Sequence, residues 1–123
     1  MLFGTADCTR SDQFDQYTLY LRGRANGEKV EQKRVISSVS RCLNPYEEEG
    51  YSEMMKVAAS DDLEIIVSNT TEAGIAYDPS CGLQDCPPAS FPAKMTQVLY
   101  HRYKAGKKGV VILACELIDN NGK

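Results

Sequence analysis

Apolar positions along the chain change their period several times, and each change marks an element. Tyr17-Thr18-Leu19-Tyr20-Leu21-Arg22 alternates and is rich in strand formers, and a second extended run goes from Lys29 to about Arg41. Asn26-Gly27 lies between them and suits a type I′ turn, whose central residues both need positive φ, so the stretch predicts a hairpin. Glu31, Lys33 and Ser37 make much of one face polar, which predicts partial exposure. Tyr51, Met54, Met55 and Ala58 then recur at helical spacing and form one apolar stripe. Asn44-Pro45-Tyr46-Glu47 supplies a cap, a first-turn proline and a capping-box glutamate, so the helix is expected to start there.

Two short β-branched runs follow, Leu63 to Val67 and Val110 to Cys115, and both have the composition of buried strands. A second helix is expected between them. Ser90 can cap it and Pro92 fits its first turn, while Phe91, Met95, Val98, Leu99 and Arg102 fall near one face with the Arg102 stem free to snorkel. Gly106 ends it, and Lys104, Lys107 and Lys108 suit its negative end. Ahead of all this, Leu2 to Ala6 reads as a short strand and Asp7 to Asp15 as a polar loop or short helix.

A strand, helix, strand order closes as a crossover with parallel strands, so both strands end on the same edge of the sheet. One tip carries Ser68-Asn69-Thr70-Thr71-Glu72 and the other Glu116-Leu117-Ile118-Asp119-Asn120-Asn121-Gly122. Ligands bind at the carboxyl edge of open α/β sheets, and these tips turn polar directly after apolar strands. Ordinary turn chemistry accounts for the same residues equally well. The connection from Asn69 to Ala89 is long for a structureless loop, which suggests a functional excursion over the strand ends.

Composition narrows the classes. The chain has 123 residues, 42% hydrophobic and 25% charged, which suits one modest soluble domain. No run approaches the roughly 18 apolar residues of a membrane span, and Met1 to Gly4 lacks the pattern of a signal peptide. A net charge of −3 gives no broad attraction to nucleic acid or anionic lipid. Five cysteines, an odd count, argue for a reducing cytoplasm rather than a disulfide framework. Cys81 and Cys86 could form half a zinc site, but the remaining cysteines are scattered and His101 is the single histidine, so two loop thiols are the better reading and no metal is expected.

Three strings together are distinctive: Ile65-Ile66-Val67-Ser68-Asn69-Thr70-Thr71-Glu72-Ala73-Gly74-Ile75, then Ser90-Phe91-Pro92-Ala93-Lys94, then Cys115-Glu116-Leu117-Ile118-Asp119-Asn120-Asn121-Gly122. In this order they resemble the polyol dehydrogenase family that includes mannitol dehydrogenase, and within it the branch that interconverts D-tagaturonate and D-altronate. Tyr17 to Gly23 and Ile36 to Arg41 resemble that branch as well. The resemblance implies a cytoplasmic, NAD-dependent oxidoreductase that reversibly reduces the keto group of a sugar acid. It implies an α/β chain with a partial Rossmann-like three-layer fold: parallel strands, a crossover helix and an added antiparallel hairpin. By the same resemblance Ser68, Asn69, Thr70 and Thr71 lie beside the nicotinamide half of the cofactor. Glu72 matches a glutamate near the substrate and its proton route, and Asn121 matches an asparagine of the family's second string. Asp7 stands near the place where the family grips the adenosine ribose.

The departures from the family are equally specific. Its opening glycine-rich turn, G-x-G-x-F-x-R, has no counterpart in Met1 to Gln16. Its catalytic lysine belongs to a K-x4-N-x2-H motif of a C-terminal domain, and Lys94 does not carry that motif. The earlier asparagine of the second string falls at Leu117. Residues 1–123 are therefore expected to be a partial NAD-binding domain, without the phosphate turn and without the partner domain that completes the active site. Such a chain is expected to be inactive alone and to bind NAD weakly or not at all. The alternatives are a non-enzymatic module that folds by self-association, or a zinc-binding module.

Overall fold

The computed structural model describes Leu2–Phe3 and residues 16–122. It has two compact units, residues 1–45 and 46–123. Gly4 to Ala6 of the expected first strand and the expected loop or helix from Asp7 to Asp15, with Cys8, lie outside the described residues.

In the first unit, β1 (Leu2–Phe3) pairs in parallel with β4 (Cys42–Leu43). The predicted hairpin forms from β2 (Tyr17–Ala25) and β3 (Glu28–Ile36), antiparallel, with Tyr17 opposite Ile36 and Ala25 opposite Glu28. Because Tyr17 already opposes Ile36, β3 stops there and residues 37–41 are irregular, short of the strand expected to reach Arg41. At the turn Asn26 has φ 53° and Gly27 φ 84°, which is the I′ requirement. A Cβ on Gly27 would meet nothing within 4 Å, so only backbone strain opposes a side chain there. Gly27→Ala is expected to destabilise the hairpin by about 1 kcal/mol, read as a lower melting midpoint in far-UV dichroism.

The hairpin is exposed almost throughout, further than the partial exposure its polar face predicts, because Leu19, Leu21 and Val35 are exposed as well. That face is knitted by cross-strand pairs. Arg22 donates to Glu31 at 3.1 Å, and the Arg22 and Lys33 cations stand 5.8 and 5.4 Å from the Tyr20 ring.

The second unit has α1 (Glu48–Ala58), β5 (Ile65–Ser68), α2 (Phe91–Lys104) and β6 (Val111–Ala114). β5 and β6 are parallel, Ile65 opposite Val111 through Ser68 opposite Ala114, as the strand-helix-strand order requires. The chain is thus mixed α/β, with one parallel pair flanking a crossover helix and a separate antiparallel hairpin.

α1 starts later than its sequence signals suggest. Pro45 and Tyr46 form a turn, and the cap position falls to Glu47, which is extended and makes no side-chain cap bond. The Tyr46 hydroxyl is instead drawn to the start of α2, where Lys94 Nζ donates to it at 3.0 Å. Met54 and Ala58 of the expected stripe are buried, and Tyr51 and Met55 are half-buried.

α2 begins as expected: the Ser90 hydroxyl accepts from the Ala93 N–H at 3.3 Å, with proline in the first turn. Replacing that cap by Ser90→Ala should cost about 1 kcal/mol in urea denaturation, with an unchanged slope. The helix closes on a Schellman pattern, in which Gly106 at φ 66° donates to the Tyr103 carbonyl and Lys107 donates to that of Arg102.

The face that α2 buries differs from the expected apolar stripe. Val98 is buried together with Lys94, Gln97 and Arg102, while Phe91, Met95 and Leu99 are half-buried. Arg102 does not snorkel. It is 4% exposed, and its guanidinium donates to the carbonyls of Ala58, Ser60 and Lys108 at 3.0, 2.7 and 2.6 Å. Those acceptors are the unpaired carbonyls at the end of α1 and in the turn leading into β6, so this cation ties two chain reversals to one helix. Gln97 works in the same way: it accepts from the Tyr51 hydroxyl at 2.8 Å and donates to the Leu83 and Asp85 carbonyls. The connection between β5 and α2 is therefore pinned to α2 by side-chain bonds.

β5 and β6 are the clearest departure from expectation. Ile65, Val67, Val111 and Leu113 are 55, 63, 58 and 46% exposed, so the strands are not buried. Among the described residues the sheet has two strands; Ile66, Ser68, Ile112 and Ala114 share one face, with Ser68 buried and Ile112 44% exposed, and the odd-numbered residues share the other, which is open throughout.

Candidate functional site

Both strands of the parallel pair end at the same edge, and the polar tips meet there. Beyond Ser68 and Ala114 the ladder continues by one bond, from the Cys115 N–H to the Ser68 carbonyl at 2.8 Å. That extra rung fixes the next residue, Glu116, directly beside the β5 tip. Glu116 is 5% exposed and Ser68 6%. The Ser68 hydroxyl donates to Glu116 Oε1, and the Thr70 N–H donates to the same oxygen at 3.3 Å. Asn121 Nδ2 donates to Glu116 Oε2 at 3.1 Å and to the Glu116 carbonyl at 2.9 Å. The turn that returns Asn121 to this place is closed by Ile118 N–H to the Glu116 carbonyl and by Asn121 N–H to the Ile118 carbonyl. Asn120 at φ 58° and Gly122 at φ 78° supply its left-handed positions.

These donors hold the Glu116 carboxyl far below the usual carboxylate range, at about 2, with the Ser68 hydroxyl the largest cause and the Asn121 amide next. At neutral pH the group is an anion with its lone pairs engaged. It accepts hydrogen bonds and has no proton to give.

The tips border a cleft of about 460 Å³. Ile75, Phe91, Met95 and Ile112 form an apolar wall, and Ser68, Glu116 and Asn121 stand on the polar side. Ser68 and Asn121 are thus brought together at the cleft, and both face the carboxylate between them. Thr70 is half-buried and joins through its backbone. Asn69, Thr71 and Glu72 are exposed and do not line the cleft. Thr71 organises the next turn instead, accepting from the Gly74 N–H through its hydroxyl at 3.1 Å and from the Ile75 N–H through its carbonyl. Glu72 sits on that turn.

Sequence reasoning missed Glu116 as the centre of this arrangement. Its signal was present: a carboxylate placed one residue after an apolar strand, with hydroxyl and amide side chains at the neighbouring tip. Cys81 and Cys86 have other partners. Cys81 Sγ donates to Asp78 and accepts from the Ser90 N–H, and Cys86 lies beside the Tyr51 hydroxyl, whose pKa is raised first by burial and then by that thiol. Among the described residues no three His, Cys, Asp or Glu side chains are grouped to hold a metal ion.

Comparison with known proteins gives the strings at these tips a context. Altronate oxidoreductase from Bacteroides thetaiotaomicron is 46% identical over 114 residues, which is 89% of this chain. The enzymes of the same name from Halalkalibacterium halodurans and Bacillus subtilis are each 44% identical, over 91% and 92% of the chain. The chain is a relative of the altronate oxidoreductases. It spans under a quarter of the length of these curated relatives, 23, 22 and 24% respectively. No family model matches the chain, and no solved structure does. Among the described residues no helix is long and apolar enough to cross a membrane.

Proposed function

We propose that this chain is part of an NAD-dependent oxidoreductase that interconverts D-tagaturonate and D-altronate in the cytoplasm, and that residues 1–123 are part of its Rossmann-type NAD-binding domain. The observation that carries this reading is the polar carboxyl edge of a parallel strand pair, opening on a cleft with one apolar wall, in a relative of altronate oxidoreductases. The edge fits the nicotinamide end of the cofactor. The wall of Ile75, Phe91 and Met95 suits a flat ring; Ser68 stands at the cleft, and Asn69 to Thr71 follow it on the exposed strand tip. It does not fit the pyrophosphate, because residues 16–122 contain no glycine-rich strand-to-helix turn.

Bound NAD supplies or takes up the hydride. The protein has to hold the carbonyl carbon against the ring, keep water out, and provide an acid and a hydrogen-bond donor for the carbonyl oxygen. In this reading the apolar wall excludes water, and the exposed Asn69 side chain is the group that meets the cofactor's polar atoms, with Thr71 holding the next turn through the Gly74 N–H. Glu72 belongs to the substrate side, on the exposed turn after the tip, where it takes part in proton exchange with solvent. Asn121 supports the substrate edge through the strand-tip contacts described above. The remaining donor and the acid come from sequence beyond this chain, so the 123 residues alone are inactive and bind NAD weakly or not at all.

A segment exchange tests the reading. The matching segment of the Bacteroides thetaiotaomicron altronate oxidoreductase is replaced by this chain. The hybrid is expected to fold, to reduce tagaturonate with NADH, and to lose most of that activity on Glu72→Gln. A folded hybrid with no such activity overturns the reading, as does steady turnover by the 123-residue chain by itself.

A further inference from the structure

The contact that joins the strand tips does more than complete a turn. The Glu116 carboxylate touches both: Oε1 takes the Ser68 hydroxyl and the Thr70 N–H from the β5 side, and Oε2 takes the Asn121 amide from the β6 side. The Cys115 to Ser68 rung joins the tips through the backbone as well. Of the six residues singled out from sequence, Ser68 and Asn121 have their side chains on this carboxylate and Thr70 its N–H. A chain segment that leaves a strand end is free to swing unless something holds it, and a two-strand sheet with an open face offers little packing to do so.

We infer that Glu116 is a positioning residue, which fixes the Ser68–Thr70 tip against the Asn121 turn and so sets the arrangement of the edge that receives the cofactor. The inference rests on the proposed NAD-binding reading for its functional half; the joining of the two tips stands on the geometry alone. Buried hydrogen-bond networks of this kind keep binding groups in one arrangement before the ligand arrives, which lowers the ordering cost of binding. The residue lies beside the reacting groups without being one of them, since its oxygens are occupied from within the chain.

Two measurements test it. The first uses the 123-residue chain without cofactor. Asn121→Ala, made on the β6 side, should shift the amide signal of Thr70 on the β5 side. The same substitution made on Glu116→Ala should leave Thr70 unmoved. If Glu116→Ala does not fold, Glu116→Gln serves, because it keeps an acceptor for Ser68 and Thr70 and turns an amide toward Asn121. A Thr70 signal that moves in both backgrounds, or in neither, overturns the inference. The second uses the segment-exchanged enzyme. Glu116→Gln should raise the KM for NADH about tenfold with kcat within about twofold. A loss confined to kcat assigns Glu116 to the chemical step and overturns the positioning role, as does an unchanged enzyme. If the parent hybrid is folded and inactive, the proposed function fails, while the amide measurement still decides whether Glu116 couples the tips.

Discussion

Arg102→Met is expected to destabilise the second unit by roughly 3 kcal/mol, a large share of the 5–15 kcal/mol that usually holds a domain together. Methionine keeps most of the length of the buried stem. What it removes is the guanidinium, and with it the donors for the Ala58, Ser60 and Lys108 carbonyls. These acceptors lie where α1 ends and where the chain turns into β6, positions with no helical or ladder partner to replace the loss. A hydrogen bond from a charged group is worth about 1.5–3 kcal/mol, and the contributions of one side chain do not simply add, hence the estimate. For a unit of this size the melting midpoint should fall by roughly 10–20 °C. Arg102→Lys separates charge from geometry. One ammonium cannot reproduce a planar fork, so lysine should recover less than half of the loss. Equal midpoints for the parent and the methionine variant would show that the three carbonyls are satisfied by water at no cost.

The second large effect is a dependence on acid. The Glu116 carboxyl is held at about 2 in the folded chain against an ordinary 4.5. A group whose pKa is lowered by folding stabilises the fold above its unfolded pKa, and that contribution fades as protons return. The stabilisation from Glu116 is therefore complete above about pH 4.5 and is lost as pH falls through the window down to about 2. Asp61, lowered by its bond to Lys107, and Asp78, lowered by Ser80, act in the same direction. Glu116→Gln has no charge to lose. Parent and variant should differ most at neutral pH and converge as the pH approaches 2, measured as melting midpoints across a pH series. A constant difference over the whole range would show that Glu116 is not the group responsible.

Much of this fold is legible in residue patterns. The alternation from Tyr17 to Arg22 and the Asn26-Gly27 pair specify the hairpin, because only a few residue types tolerate positive φ at both turn positions. Ser90 and Gly106 bracket α2 because a cap and a left-handed stop are local chemistry. Other features depend on distant partners that no window reveals. Asn44 to Glu47 carries the letters of a helix start, yet Tyr46 finds Lys94, 48 positions away, and the helix begins after it. Lys94 and Gln97 stand off the expected apolar stripe of α2, and Arg102 lies on it with its head expected in solvent, yet all three are buried because their polar ends find carbonyls and hydroxyls of other segments. The apolar runs of β5 and β6 specify strands but not their burial, which is decided by how many layers cover them.

The candidate site divides in the same way. Its place at the carboxyl edge follows from the order of elements, and Ser68 and Asn121 are there. That they turn toward Glu116 is a matter of one extra rung after Ala114, and a single residue of register would put the carboxylate on the opposite face.

The parallel pair is only four residues long, and each of its ends is tied by a buried ionic side chain: Arg102 before it, Glu116 after it. Short ladders usually unzip from their tips, and solvent hydrogen then replaces amide hydrogen gradually from the outside in. A ladder tethered at both ends has no loose terminus from which to unzip. Its ladder-bonded amides are expected to exchange together, so that the two strand tips open as a single cooperative event.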